Sequence, residues 1–167
     1  RVFMRVVTDE VLQAMADALT PQGIIAVSFK LDASAGRLWG EGALNPRLIA
    51  VLSRVQDPGN AGTILRVADA AGADLVVDLY NPKTVRATAG SLFHVPLIQG
   101  VDLEDFAEDA KSQGMTVLAA DGYGTVDLQQ LVEYSLARSA NIETPVPAGV
   151  KGSFNLSKPT VWLFGNE

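Results

Sequence analysis

The chain has no cysteine and a single histidine, His94. Without thiols it forms no disulfide and no thiolate metal centre, and one imidazole does not make a histidine-rich site, so no metal is expected. Aromatic residues make up 7%, and no run of about 18 apolar residues occurs, so neither a helical membrane span nor a membrane partner is expected. No secretory leader is visible, and the expected location is cytoplasmic. Positive charge is scarce too: 13 Lys and Arg stand against 19 Asp and Glu, a net charge of −6. That argues against bulk electrostatic attachment to nucleic acid and leaves room for a local basic patch. Walker A, GxGxxG and GxSxG signatures are all missing.

What is present is ample apolar material, 48% of 167 residues, enough for one α/β domain with some structure appended. The stretch Val51 to Gly72, VLSRVQDPGNAGTILRVADAAG, organises the rest. Ile49 to Val55 is apolar with β-branched residues and reads as a buried strand. Gln56-Asp57-Pro58-Gly59-Asn60 is a turn. Ala61 to Ala71 then places Ile64, Leu65, Ala68 and Ala71 on one helical face. Asp57 or Asn60 suits the N-cap, and Pro58 suits the first turn, where its missing N–H had no partner. A strand, a Gly-Asn turn and a helix N-terminus together favour an anion or a ribose.

Upstream, Arg1 to Val7 and Ile24 to Phe29 read as strands flanking a helix from Thr8-Asp9-Glu10 to about Ala18. They look like the end of a small α/β module, residues 1–31. The small residues of DASAGRLWGEG mark 32–45 as a linker, and 46–167 is the main domain. There Asp74 to Leu79 reads as a second strand, and Asn81-Pro82 opens a helix through Leu92. Val95 to Ile98 is a short strand, and Leu103 to Gln113 a helix stopped by Gly114. Met115 to Ala120 reads as a buried strand, Leu128 to about Ala137 as a helix, and Thr160 to Phe164 as the last strand. Ser139 to Pro159 is polar and rich in proline, which suggests either a functional lid or an insertion. Strands alternating with helices imply an α/β fold with a mainly parallel sheet and helices on both faces. Such sheets bind ligands beyond the carboxyl ends of their strands. Three of those ends carry unusual residues: Asp57–Asn60, Asp121-Gly122 and Gly165–Glu167.

Each candidate has a plain alternative. Asn60 and Arg66 form a polar pair beside an anion only if Asn60 sits in the turn, because six residues along a helix turn them to different faces. Otherwise Asn60 caps the helix and Arg66 pairs with Asp69 at i+3, the reading bare sequence favours. Gly165-Asn166-Glu167 is a carboxylate at the ligand edge or a simple turn. Asp121-Gly122-Tyr123-Gly124 allows close backbone approach or is an ordinary βα turn. Lys83 and Arg86, at i and i+3, share a face that suits phosphates or plain solvation. His94 reads as a hydrogen-bonded packing residue.

Taken together, these stretches resemble the SpoU (TrmH-like) family of RNA ribose methyltransferases, within the SPOUT class. Asp57-Pro58-Gly59-Asn60-Ala61-Gly62 through Arg66 and Ala68-Asp69-Ala70-Ala71-Gly72 is similar to its first motif. Asn81-Pro82-Lys83 through Arg86-Ala87-Thr88-Ala89-Gly90-Ser91-Leu92-Phe93-His94-Val95-Pro96 is a second matching block. Trp162-Leu163-Phe164-Gly165-Asn166-Glu167 begins the second motif. The resemblance implies a C-terminal trefoil knot, S-adenosylmethionine as cofactor, a homodimer, and methyl transfer to a ribose 2′-hydroxyl of rRNA or tRNA. It implies Asn60, Arg66 and Glu167 as catalytic residues, and Leu118, Ala119, Ala120 and Gly165 against the cofactor. Arg54, Lys83 and Arg86 are the expected RNA-binding cations. Residues 1–30 resemble the tail of the small RNA-binding domain that often precedes the catalytic one. The third family motif does not occur, and the spacing at Val77-Asp78 is short for the family. The expectation is therefore a sequence incomplete at both ends, with a loop missing at that junction. A non-catalytic RNA-binding module and a base-modifying relative are the alternatives.

Overall fold

The computed structural model describes residues 3–16, 18–77, 82–150 and 154–165. Two compact units are present, Arg1–Lys30 and Leu31–Glu167. The expected cap Asn81, the strand end at Leu79, the junction after Val77 and the pair Asn166-Glu167 lie outside the described residues.

In the first unit, α1 (Asp9–Met15) is the regular element among the described residues. Thr8 occupies its N-cap position without a side-chain hydrogen bond, and the helix stops three residues short of Ala18. Among the described residues, neither expected strand is formed. A strand persists only where a neighbour pairs its backbone and one face is covered. Here Phe3, Met4, Val6, Val27 and Phe29 are exposed instead.

Among the described residues, the second unit is an α/β fold built on five parallel strands. They are β1 (Leu48–Leu52), β2 (Leu75–Val77), β3 (Leu97–Ile98), β4 (Thr116–Ala120) and β5 (Thr160–Phe164), in spatial order β3-β2-β1-β5-β4. Four helices connect them: α2 (Pro58–Ala70), α3 (Pro82–Ala87), α4 (Leu103–Ser112) and α5 (Leu128–Ser139). Because side chains alternate along a strand, β1 feeds two cores. Ala50 and Leu52 pack with Leu65 and Ala68 of α2, while Ile49 and Val51 pack with Phe106 and Ala110 of α4. Ile49 and Leu65 are fully buried, each contributing roughly 1.5–3 kcal/mol by removal from water. The Asp74 carboxylate accepts from the backbone N–H groups of Arg47 (2.7 Å) and Leu48 (2.9 Å), which pins the start of β1 beside β2.

Three expectations need correction. Residues 32–45 are not a linker but part of this unit. Ala33 N–H donates to Leu97 O at 2.7 Å, Leu38 is buried in the α4-side core, and Asn45 bridges back to Gly40 O at 2.9 Å. Small residues serve tight turns as readily as extended chain. The helix expected to reach Leu92 ends at Ala87, because Ala89 (φ 49°) and Gly90 (φ 98°) are left-handed and a separate 3-10 turn follows at Ser91–Phe93. Finally, β4 is not a buried strand. It lies at the sheet edge, with Thr116, Val117 and Leu118 half-buried and Ala119 and Ala120 exposed.

The α2–α3 contact depends on a glycine. A Cβ on Gly62 would overlap Ala87 Cβ and sit 2.6 Å from the Ala87 carbonyl carbon. Gly62→Ala would raise helix propensity by about 1 kcal/mol, yet overpacking of about 1–3 kcal/mol outweighs it. Urea unfolding is expected to show a net loss of stability; a gain would mean the two helices are not in this contact.

Candidate active site

Register brings three strand ends level. Leu52 of β1 pairs with Phe164 of β5, and Phe164 pairs with Ala120 of β4. Ser53 N–H continues the ladder to Phe164 O at 2.7 Å. The carboxyl edge of the sheet therefore presents three exits side by side. From β1 the chain turns through Arg54, which is exposed and left-handed (φ 54°), a strained backbone state for a residue with a side chain. It then enters α2, where the Asp57 carboxylate accepts from Asn60 N–H at 2.7 Å as the N-cap. From β4 it enters a loop in which Asp121 Oδ1 accepts from Tyr123 N–H at 2.9 Å, and Asp127 caps α5 through Gln129 N–H at 2.8 Å. From β5 it reaches Gly165, which is exposed.

A cavity of about 1270 Å³ runs along β4 and its following loop. Leu118, Ala119 and Ala120 line it, joined by Asp121, Val126 and Trp162. The exposed strand end offers backbone donors and acceptors, while Leu118, Val126 and Trp162 supply half-buried apolar surface. Leu118, Ala119 and Ala120 are residues expected against the cofactor. Asn60, Arg66 and Gly165 are not part of the cavity's lining. Trp162, Gly149, Val150 and Phe154 do line it and were not among the expected site residues. Trp162 stands at the start of the second motif, and Gly149, Val150 and Phe154 fall in the stretch 139–159 that suggested a lid or an insertion.

Asn60 stands inside the first turn of α2 rather than in the preceding loop. It is separated from Arg66 by about 9 Å of rise and about 120° of rotation. Both are exposed. The Arg66 guanidinium Nη2 donates to Thr63 Oγ1 at 3.1 Å, which draws the guanidinium back along the helix toward the carboxyl edge of the sheet. Lys83 and Arg86 are exposed on α3, the helix that abuts α2 at Gly62. Glu167 lies outside the described residues. Among the described residues, no group of three or more acidic, His or Cys side chains is placed to hold a metal ion, and no helix is long and apolar enough to cross a membrane.

The model of the SpoU rRNA Methylase family matches residues 47–167. The chain belongs to the SpoU rRNA methylase family. It is 35% identical over 124 residues to the 23S rRNA (guanosine(2553)-2′-O)-methyltransferase RlmP of Bacillus subtilis, covering 71% of this chain and 44% of that one. It is 30% identical to an uncharacterized tRNA/rRNA methyltransferase of Synechocystis, covering 96% of this chain and 51% of the relative. The SpoU chain thus spans about half the length of the curated relatives it matches. Among solved structures, an rRNA methyltransferase from Sinorhizobium meliloti aligns with a TM-score of 0.60 at 29% identity, covering 96% of this chain and 54% of that one.

Within this SpoU domain, the expected Arg66–Asp69 pair gives way to another arrangement. Asp69 Oδ2 lies 2.9 Å from His94 Nδ1. His94 is hydrogen-bonded as expected but not packed, since its side chain is 67% exposed. A hydrogen bond from Ser91, followed by that with His94, holds the Asp69 carboxyl below its ordinary value of 3.8, against a small opposing effect of burial. A depressed carboxyl pKa stabilises the fold above the unfolded-state value and loses that contribution as pH falls through the folded one. NMR titration of the Asp69 side-chain carbon is expected to give a midpoint below 3.8, and Ser91→Ala to move it upward. An unshifted midpoint in the native protein would mean the Ser91 and His94 contacts do not form in solution.

Proposed function

We infer that the protein transfers a methyl group from S-adenosylmethionine to a ribose 2′-hydroxyl of rRNA or tRNA. The observation that carries this reading is the cavity against Leu118–Ala120, beside level strand ends, in a chain of the SpoU family. The relative from Bacillus subtilis is named as a 2′-O-methyltransferase of 23S rRNA, which supports the same reaction class here.

The residues present suit the cofactor. Ligand cavities are typically about 300–1,000 Å³, so about 1270 Å³ leaves room for an incoming ribose. Backbone groups of Leu118, Ala119 and Ala120 would hold the cofactor over the apolar surface of Leu118, Val126 and Trp162, with Gly165, at the neighbouring strand exit outside the cavity lining, as a further backbone contact. When bound, S-adenosylmethionine supplies an electrophilic methyl on a sulfonium. A ribose hydroxyl is a weak nucleophile at neutral pH and must be aligned in line and relieved of its proton. Arg66 binds the neighbouring phosphate and positions the hydroxyl. A guanidinium, with a pKa above about 12, is a poor proton acceptor. Asn60 and Glu167 orient that arrangement. Arg54, Lys83 and Arg86 meet RNA phosphates, a local basic patch on an acidic chain. The same reading includes a C-terminal trefoil knot, a homodimer, a cytoplasmic location, and residues 1–31 as part of an N-terminal RNA-binding domain joined to the catalytic domain.

Two measurements test it. Calorimetry with S-adenosylmethionine and the full-length protein is expected to show binding; its absence, with RNA present as well, would leave an RNA-binding module on the same fold. On a proven RNA substrate, Arg66→Ala is expected to lower methyl transfer by about 10²-fold. Arg66→Lys should recover part of it, since lysine keeps the charge without the fork. Near-normal activity in Arg66→Ala would remove Arg66 from the site, and a methyl found on the base of the product nucleoside would overturn the ribose assignment.

A further inference from the structure

The stretch after α5 is anchored by one buried hydroxyl. Ser135 is 6% exposed. Its Oγ donates to Asn155 Oδ1 at 2.8 Å and accepts from Leu156 N–H at 2.7 Å. Asn155 Oδ1 accepts a second bond, from Ser157 N–H at 2.9 Å. Residues 155–157 are thereby tied to the middle of α5. Around this tie lies a third core, in which Leu131, Tyr134 and Phe154 are buried against Leu118, Val126 and Val150. That core contains a β4 residue and a residue of the loop following β4, both of which line the large cavity.

The contact at Gly149 completes the connection. Its φ of +86° suits glycine, and a Cβ there would lie 3.0 Å from Thr125 Oγ1 and 3.1 Å from Val126 Cγ2. The backbone at 149–150 therefore rests directly on the loop that leaves β4. That loop is held from the other side by Asp127, the N-cap of α5. The loop that walls the cavity thus has one support in the α5 cap Asp127 and a second in residues 149–150, which share the third core with α5 beside the Ser135–Asn155 tie.

We propose that Ser135 and Asn155 are positioning residues for the cofactor, acting through Gly149 and Val150 to hold the loop Asp121–Val126 in its binding shape. This rests on the reading of the cavity as the S-adenosylmethionine site. A hydrogen-bonded tie in a buried setting is costly to leave half-made, because the surviving partner loses water without gaining a replacement. Removing it frees 155–157 from α5 and lets the loop beyond β4 relax, so that ordering it again opposes cofactor binding.

The test is S-adenosylmethionine affinity by calorimetry on the full-length protein, with amide exchange across residues 121–127. Ser135→Ala and Asn155→Leu are expected to weaken binding by about tenfold, the scale of one lost buried hydrogen bond. Both should speed exchange at Tyr123 and Val126 while leaving α2 and α4 protected. Asn155→Asp keeps the acceptor oxygen and is expected to bind as the native protein does. If Ser135→Ala does not fold, the Asn155 pair of variants decides. Native-like binding by Asn155→Leu, or equal weakening by Asn155→Asp and Asn155→Leu, overturns the proposal alone. No binding by the native protein overturns the cavity assignment and the proposal with it.

Discussion

Everything at the ligand edge depends on the ladder that β5 makes with two neighbours at once. Its residues pair with β1 on one side and β4 on the other, in a register that ends at the same level on all three strands. Because a parallel pair shifts in steps of two residues if side chains are to keep their faces, a slip of β5 would offset one exit by more than a hydrogen-bond length. The three exits then would not lie side by side at one edge of the sheet. The apolar alternation of β1, which divides Ile49 and Val51 from Ala50 and Leu52, holds that register from both faces.

The second constraint is charge. On the proposed reading, an acidic chain has to concentrate its few cations to meet RNA, and close helix contact brings several of them together. Gly62 lets α3 approach α2, so Lys83 and Arg86 ride on the same rigid pair as Arg66. Asp69 lies three residues beyond Arg66, yet it is engaged by Ser91 and His94. This leaves the guanidinium turned toward Thr63 and the strand ends. A surface ion pair between Arg66 and Asp69 would have turned it the other way.

Much of the core was legible because its signals are local. Asp57 and Pro58 mark the start of α2 within four residues, and the spacing of Leu65 and Ala68 marks its buried face. The same holds for the helices that became α4 and α5, the first stopped at Gly114. What was not legible depends on distant partners. Whether Met115 to Ala120 is central or at an edge is a matter of strand order, which no residue in it encodes. Nothing in the word Ala89 announces a left-handed backbone. The partner of Asp69 is 25 residues away in sequence, whereas the i+3 candidate Arg66 was near at hand. Residues 3–7 and 24–29 have strand composition without a strand beside them.

Chain order and spatial order disagree most sharply at β5. It is the last of the five strands in sequence, yet it sits between the first and the fourth, so that Leu48 finds Thr160 as its neighbour. During synthesis, at about 5–20 residues per second, β1 therefore waits on the order of ten seconds for one of its two partners. Through that interval Ile49 and Val51 have an open flank, in a topology whose many long-range pairings make folding slow in any case. The β1 edge of the nascent chain therefore stays without its second partner until Thr160–Phe164 has been made.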